Sequence, residues 1–288
     1  VVFEKKLASL SAIRFGTEDN FSDERSTYNE YNRQTYLQEV TENIISVFGE
    51  ADIYLTNNVA ARAGVRAEHS QLLDKWDVAP RLSLAYKFAD KSQVSFAYGM
   101  FYQDPDRKYL PSLNALHFQE ATHYILQYEK ITSDRTFRTE LFYKKYTDLI
   151  KTSQTYNENF AAINNNGFGD AKGIEFFWRD KKTIKNFDYW ISYSYLDTKR
   201  DFLNYPFAIE PSFVSKHTAS LVMKKFAMPL KTQFNASYTF ATGRPYYDIV
   251  YNTLQSKYDI IENGRTKSYN NLSLSINYLP SIGKTNAK

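Results

Sequence analysis

Four histidines, His69, His117, His123 and His217, are the side chains best suited to hold a metal ion or move a proton near neutral pH. None stands at ligand spacing from another, and the chain has no cysteine, so no metal site and no cofactor is expected. His217 with Asp197 or Ser215 is the one couple with the chemistry of a nucleophile and its base, and nothing around it favours that role. Gly167-Phe168-Gly169 is a lone G-x-G without the helix start that a phosphate loop needs. The acidic group Glu18, Asp19, Asp23, Glu24 and Glu30 lacks the glycine-containing spacing of a calcium loop and reads as a solvated connection over 17–35. Asn235-Ala236-Ser237 fits a glycosylation pattern but falls inside a strand-like segment. No catalytic residue is expected.

Two other sets suit binding. Arg62, Arg66, Glu68, Arg81, Arg138, Glu140, Lys144, Glu175 and Arg179 recur at alternate positions, with Phe142 and Phe177 in the same phase. Tyr102, Arg107, Tyr109, Tyr156, Phe160, Tyr205, Phe207, Arg244, Tyr246 and Tyr247 crowd polar stretches. Aromatic rings with a few guanidinium groups stack on a flat ligand, a sugar or a metal chelate.

The elements that must carry these residues are strands. Along 230–240, Leu230, Thr232, Phe234, Ala236, Tyr238 and Phe240 alternate with Lys231, Gln233, Asn235, Ser237 and Thr239. Successive strand side chains point to opposite faces, so such a segment has one apolar and one polar side. Leu82-Leu84-Tyr86-Phe88, Val94-Phe96-Tyr98-Met100 and Leu272-Leu274-Ile276-Tyr278 repeat the pattern. Segment 36–51 is less clean, because Glu42 breaks the face of Val40, Ile44 and Phe48. About twelve strand-like segments are present.

Tight turns fall near Leu55–Asn58, Ala89–Lys91, Ile131–Asp134, Lys181–Asn186 and Ala227–Pro229. Long polar connections fall near 17–35, 69–79, 102–117, 150–163, 197–213 and 241–268, alternating with the turns. Short turns at one end and long loops at the other are the layout of an outer-membrane barrel. A strand tilted about 45° crosses a bilayer in roughly 9–11 residues. Aromatics make up 17% of the 288 residues, and Tyr86, Phe88, Phe101, Tyr102, Phe240, Tyr246 and Tyr247 near strand ends suit interfacial girdles. The mean hydropathy of −0.54 fits a chain in which only alternate residues meet lipid. No run approaches the roughly 20 apolar residues of a spanning helix, and the aromatic content with a net charge of +4 excludes a disordered chain.

Several stretches resemble the C-terminal barrel region of TonB-dependent outer-membrane receptors, in the style seen in Bacteroidetes. Pro80-Arg81-Leu82-Ser83-Leu84-Ala85-Tyr86 with Val94-Ser95-Phe96-Ala97-Tyr98-Gly99 and Tyr102-Gln103-Asp104-Pro105 is similar to their "PR-x-x-x-x-Y … a-Y-G" hairpin. Leu116 to Glu129 stands where they carry "L-x-P-E-x-S-x-x-Y-E-L-G-Y", with Gln127 in place of the usual Gly and Ile125 in place of the usual Glu. Glu140 to Ile150 resembles their next strand and loop entry. Asn166-Gly167 through Ala171-Lys172-Gly173-Ile174-Glu175 is similar to "N-x-G-x-A-x-x-x-G-V-E", and Thr242-Gly243-Arg244-Pro245-Tyr246 resembles "G-R-P-Y" at a late extracellular loop.

The expected fold is all-β, a transmembrane antiparallel up-and-down β-barrel of which residues 1–288 form a partial barrel domain without a plug. The resemblance implies a parent of about 22 strands. Both ends read as cut: Val1 opens in strand-like sequence, and the plug and last strands would lie outside Val1–Lys288. The resemblance further implies a receptor of the bacterial outer membrane for energised, TonB-coupled uptake of an iron chelate, cobalamin or glycan. Its partners would be outer-membrane lipid, its own plug, a periplasmic TonB-type energy-coupling protein and that ligand, with no nucleic acid. The charged set would face the lumen, and the aromatic set would meet ligand in the outer loops. A passive porin and a barrel-embedded hydrolase are the alternatives.

Overall fold

The computed structural model describes residues 1–7, 10–29, 35–106, 116–152, 163–255 and 257–279. Strands β1 (Val2–Lys6), β2 (Ala12–Asn29), β3 (Thr35–Tyr54), β4 (Val59–Ser70), β5 (Lys75–Lys87) and β6 (Ser92–Gln103) are followed by β7 (Gln119–Ile131), β8 (Arg135–Thr152), β9 (Ile163–Asp180) and β10 (Phe187–Asp201). Then come β11 (His217–Ala227), β12 (Thr232–Ala241), β13 (Pro245–Asn252), β14 (Lys257–Arg265) and β15 (Tyr269–Tyr278). Thirteen form one antiparallel sheet in the order β1 through β12 and then β15, while β13 and β14 make a separate hairpin between β12 and β15. The order is linear, so β1 and β15 are edges and the barrel is not closed within this chain.

Register makes the sheet two-faced. Ile53, Ala61, Leu84, Phe96, Leu126, Leu141, Ile174 and Tyr195 pair in one unbroken row from β3 to β10. The neighbouring row on the opposite face reads Glu50, Gly64, Arg81, Gly99, His123, Lys144, Ala171 and Thr198. Leu82, Leu84, Leu126 and Leu141 are exposed on the apolar side, as are Leu272, Leu274 and Ile276. A continuous apolar surface of this extent is unsuited to water and suited to lipid. On it, the rings of Tyr98, Tyr124 and Tyr143 meet across three strands, tilted at 5.3 Å and stacked at 6.2 Å, and Phe137 meets Phe176 edge-on at 5.5 Å.

The turns fall as expected at one end. Lys91, Asn186 and Lys231 take left-handed backbone at the tight reversals after β5, β9 and β11, and the last includes a single 3₁₀ turn at Met228–Leu230. The other end differs from the sequence expectation. Residues 17–29 are strand rather than loop, so Glu18, Asp19, Asp23 and Glu24 belong to β2, while Glu30 lies outside the described residues. Only Gln71–Asp74 separates β4 from β5, and 241–268 carries its own hairpin. The polar composition of these stretches reflects strands that continue past the bilayer into water, where alternation no longer requires an apolar side.

Segment 36–51 also faces the other way. Val40, Ile44 and Phe48 share the polar face with Glu42, Ser46 and Glu50, because Ser46 registers with Glu68 and Phe48 with Arg66. Ile45 and Val47 take the apolar face. Glu42 therefore does not interrupt an apolar surface; it is buried at the long-connection end and accepts a 3.0 Å bond from the Ser70 hydroxyl. A small core closes that end, made of Val40, Leu73, Leu116, Phe118 and Ile150 with Tyr102 against it.

Candidate functional site: the polar face and its mouth

All nine predicted charges share the polar face. Glu140 registers with Glu175, Arg138 with Phe177, and Phe142 with Gly173, while Arg179 follows Phe177 by two residues. Ion pairs satisfy some of them. Arg66 donates to Glu18 at 2.7 Å and to Glu68 at 2.5 Å, and Arg179 donates to both Asp188 oxygens at 2.9 and 2.6 Å. Arg62 shares Asp52 with Arg14, which is 2.6 Å from it. Rings cover others: Arg81 lies over Phe101 at 4.8 Å and Lys144 over Phe142 at 5.3 Å. Phe101 is thus on the polar face and is not a girdle residue. Two hollows indent this face. One of 420 Å³ is lined by Arg62, Arg66, Arg81, Phe101 and His123; the other, of 320 Å³, by Arg138, Glu140, Glu175, Phe177 and Ser192.

Small residues in β9 shape the polar face beside the second hollow. Gly167, Gly169, Ala171 and Gly173 occupy successive polar-face positions. A Cβ at Gly169 would stand 2.7 Å from the Lys199 carbonyl and 2.8 Å from Arg200 Cγ. Its absence lets Arg200 cross β9 and lie 4.1 Å from the Tyr146 ring, with Phe213 at 5.6 Å and Phe202 at 6.0 Å. Sequence reasoning missed this cation in its aromatic surround, although the alternate glycines marked the place where a neighbour must approach closely.

At the mouth, Tyr205 and Tyr247 meet edge-on at 6.2 Å. Tyr205 is buried; its carbonyl accepts from Lys151 at 2.7 Å and its hydroxyl from the Ser212 amide at 3.2 Å. Lys151 also pairs with Asp201. Glu210, in the same connection, is held by Arg265 of β14 and by Lys216 at 3.5 Å. Arg244 is exposed at the hairpin base, its amide bonded to the Thr266 hydroxyl at 2.9 Å. Phe207 is exposed. Tyr246 points away from Tyr247 and covers Gly264, where a Cβ would meet its hydroxyl at 2.5 Å. Burial raises the Tyr247 phenol above its ordinary value, with Glu210 adding to the shift. Tyr102 lies apart from these, on β6, its hydroxyl 3.5 Å from Glu120. Arg107, Tyr109, Tyr156 and Phe160 lie outside the described residues.

This two-faced sheet with its loops at one end has a counterpart in sequence: residues 6–286 match the family model described as TonB dependent receptor-like, beta-barrel. The chain belongs to this family. Solved TonB-dependent receptors share its fold. The outer membrane transporter YddB from Escherichia coli aligns with a TM-score of 0.74 and 13% identity over 98% of this chain and 47% of that one. The ferric enterobactin receptor PfeA of Pseudomonas aeruginosa, solved with enterobactin, gives 0.72 and 12% over 98% and 46%. The ferric yersiniabactin uptake receptor FyuA of Yersinia pestis gives 0.69 and 16% over 96% and 46%. The chain spans about half the length of these structures. No curated protein matches it. Like these receptors it is a bacterial outer-membrane protein, in a family of transporters and receptors.

In this receptor barrel His217 and Asp197 are each engaged by another residue. His217 Nδ1 is 2.8 Å from the Tyr193 hydroxyl on the apolar face, and Asp197 lies 3.6 Å from Lys172. The other histidines are dispersed: His69 lies tilted against Trp76 at 4.9 Å, His117 lies 4.0 Å from Asp148, and His123 lies 4.7 Å from Phe101.

Proposed function

We propose that residues 1–288 form part of the barrel wall of an outer-membrane receptor that takes up an iron chelate, with a plug domain in its lumen and a periplasmic TonB-type partner supplying energy. The family match over residues 6–286 carries this reading. Several solved neighbours are ferric-chelate transporters by name, and the mouth of this chain has the chemistry for such ligands. The ligand would meet Arg244, Phe207, Tyr246 and Tyr247 at the outer end, with the buried Tyr205 ring supporting Tyr247 from behind. The lumen-facing charges Arg62, Arg66, Glu68, Arg81, Arg138, Glu140, Lys144, Glu175 and Arg179 would contact the plug and line the path it opens. The barrel makes and breaks no covalent bond; the conformational work is done by the plug and its partner.

The test is uptake of a radiolabelled ferric chelate by cells carrying the full-length receptor. Energised transport requires that import stop when the TonB-type partner is deleted, while surface binding persists. Import that continues without the partner supports the passive channel instead. The variant Tyr247→Ala is expected to weaken surface binding by about tenfold, the loss of about 1.4 kcal/mol of contact energy.

A further inference from the structure

Between β7 and β12 the short-turn end of the sheet forms a tied rim. The Lys181 amide donates to the Asp134 carbonyl at 2.9 Å, and the Phe226 amide donates to the Asn186 carbonyl at 3.2 Å, so three neighbouring reversals are joined through their backbones. Lys181, Lys182, Lys185 and Lys225 are exposed along this rim. The carboxylates near them are largely committed elsewhere. Asp180 is buried, pairs with Arg135 at 3.0 Å and accepts from the Lys182 and Thr183 amides, so it serves the turn itself. Asp188, on the polar face, is held by Arg179 at 2.6 Å, with Lys181 and Lys224 adding to the field around it. Asp90 pairs with Lys130 at 2.7 Å. Asp134 accepts from the Ser133 hydroxyl at 3.0 Å. Residues 280–288, which follow β15, contain Lys284 and Lys288 and no Asp or Glu. The rim is therefore cationic.

These lysines border the apolar wall. Lys225 registers between Phe187 of β10 and Phe234 of β12, in phase with Ile191, Leu221 and Tyr238. Arg135 stands two residues before Phe137, whose ring meets Trp178 at 6.3 Å and Tyr128 at 5.8 Å. The turns also expose Ile184, Met228 and Leu230. Rings on the wall, ammonium groups just beyond them and apolar tips alongside suit the depth of lipid headgroups, where lysine stems lie along apolar surface and their charges reach phosphate. A turn standing in water has no use for the apolar tips.

The opposite end of the same strands is balanced. There Lys145, Asp170 and Lys199 share one register row on the outer side, and Lys172 with Asp197 fall in the next. In a barrel whose long connections face outward, the short turns lie at the periplasmic leaflet. We propose that Lys181, Lys182, Lys185 and Lys225 bind the phosphate groups of anionic phospholipid in that leaflet and anchor this side of the barrel. The attraction is electrostatic and is independent of the ligand the receptor carries.

The experiment uses the full-length receptor in nanodiscs of phosphatidylcholine alone or mixed with phosphatidylglycerol. The midpoint of thermal unfolding should be higher with phosphatidylglycerol, and the gain should shrink as salt is added. Lys181→Gln, Lys182→Gln and Lys185→Gln together should remove most of the gain and weaken retention of phosphatidylglycerol in detergent by more than about tenfold, read by native mass spectrometry. Lys145→Gln, Lys172→Gln and Lys199→Gln together should leave both unchanged. Equal midpoints in the two discs overturn the proposal, as does a rim variant that gains like the native protein. Loss of the gain in the second set instead would move the lipid to the other leaflet. The same gain from soluble glycerol phosphate in phosphatidylcholine discs would make the rim a site for free anions. Rim lysines of the native protein that react with a water-soluble amine reagent equally fast in both discs would place the turns in water, facing an acidic soluble partner, and the lipid assignment would fall.

Discussion

Single atoms decide several contacts on the polar face. At Gly173 a Cβ would collide with the Tyr195 carbonyl and reach 2.6 Å from the Phe142 ring. Gly173→Val is therefore expected to lower stability by about 1–3 kcal/mol, the range for overpacking, read as an earlier thermal unfolding of the full-length receptor in detergent. Charge acts as locally at the β5–β6 turn. Asp90 accepts from Lys130 at 2.7 Å, from the Ser92 hydroxyl at 2.5 Å and from the Ser92 amide at 3.0 Å. The lysine pairing first, and the serine bonds after it, hold this carboxyl well below the usual carboxylate range. A depressed value in the folded state stabilises above the ordinary value of 3.8 and is lost as pH falls below it. Native protein should thus melt higher than Asp90→Asn near neutral pH, and the gap should narrow as pH drops below about 4. A gap unchanged between neutral and acid pH would remove the turn carboxylate from the account.

Elements differ in what their ends must do. The tight reversals need only a few bonds, joined after β5, β9 and β11 by a left-handed residue, as at Lys181–Asn186, where Asp180 accepts from the amides of Lys182 at 2.7 Å and Thr183 at 2.9 Å. The opposite ends extend well beyond a bilayer crossing: β3 has 20 residues and β9 has 18. In outer-membrane barrels the long connections face outward and the short turns face the periplasm. A peptide tag inserted beside Leu254, which is 96% exposed at the hairpin tip, should bind antibody on intact cells. The same tag at Lys182 should bind only after the outer membrane is permeabilised, and the reverse result would invert the proposed orientation. The hairpin also explains why two adjacent tyrosines act separately. Alternation sends Tyr246 onto Gly264 and Tyr247 toward Tyr205, so Tyr247→Ala should affect ligand binding more than Tyr246→Ala.

At the scale of the whole molecule the governing fact is an open sheet. Backbone groups at the edges β1 and β15 need partners, and lipid offers none. The 288-residue chain produced alone is expected to aggregate on refolding into detergent, seen as material at the void volume in size exclusion. The parent receptor should elute as a defined species. A sharp monomeric peak from the chain alone would mean that its edges find each other.

Alternation is local, so the two-faced strands, the tight turns and the phase of the nine charges were legible without a structure. A residue and its second neighbour share a face whatever the rest of the chain does. That was enough for Arg62, Arg138 or Glu175, whose segments are cleanly patterned. It failed for β3, where apolar residues occupy both faces and only pairing with β4 tells which side is which. Strand ends beyond the bilayer were hidden because the pattern that reveals strands fades where lipid does. The tertiary structure alone decided what register brings together over long separations: Arg200 on Tyr146 across a glycine, Tyr205 against Tyr247, Glu68 beside Asp77. No local periodicity encodes those meetings, because each depends on how far one strand slides along the next.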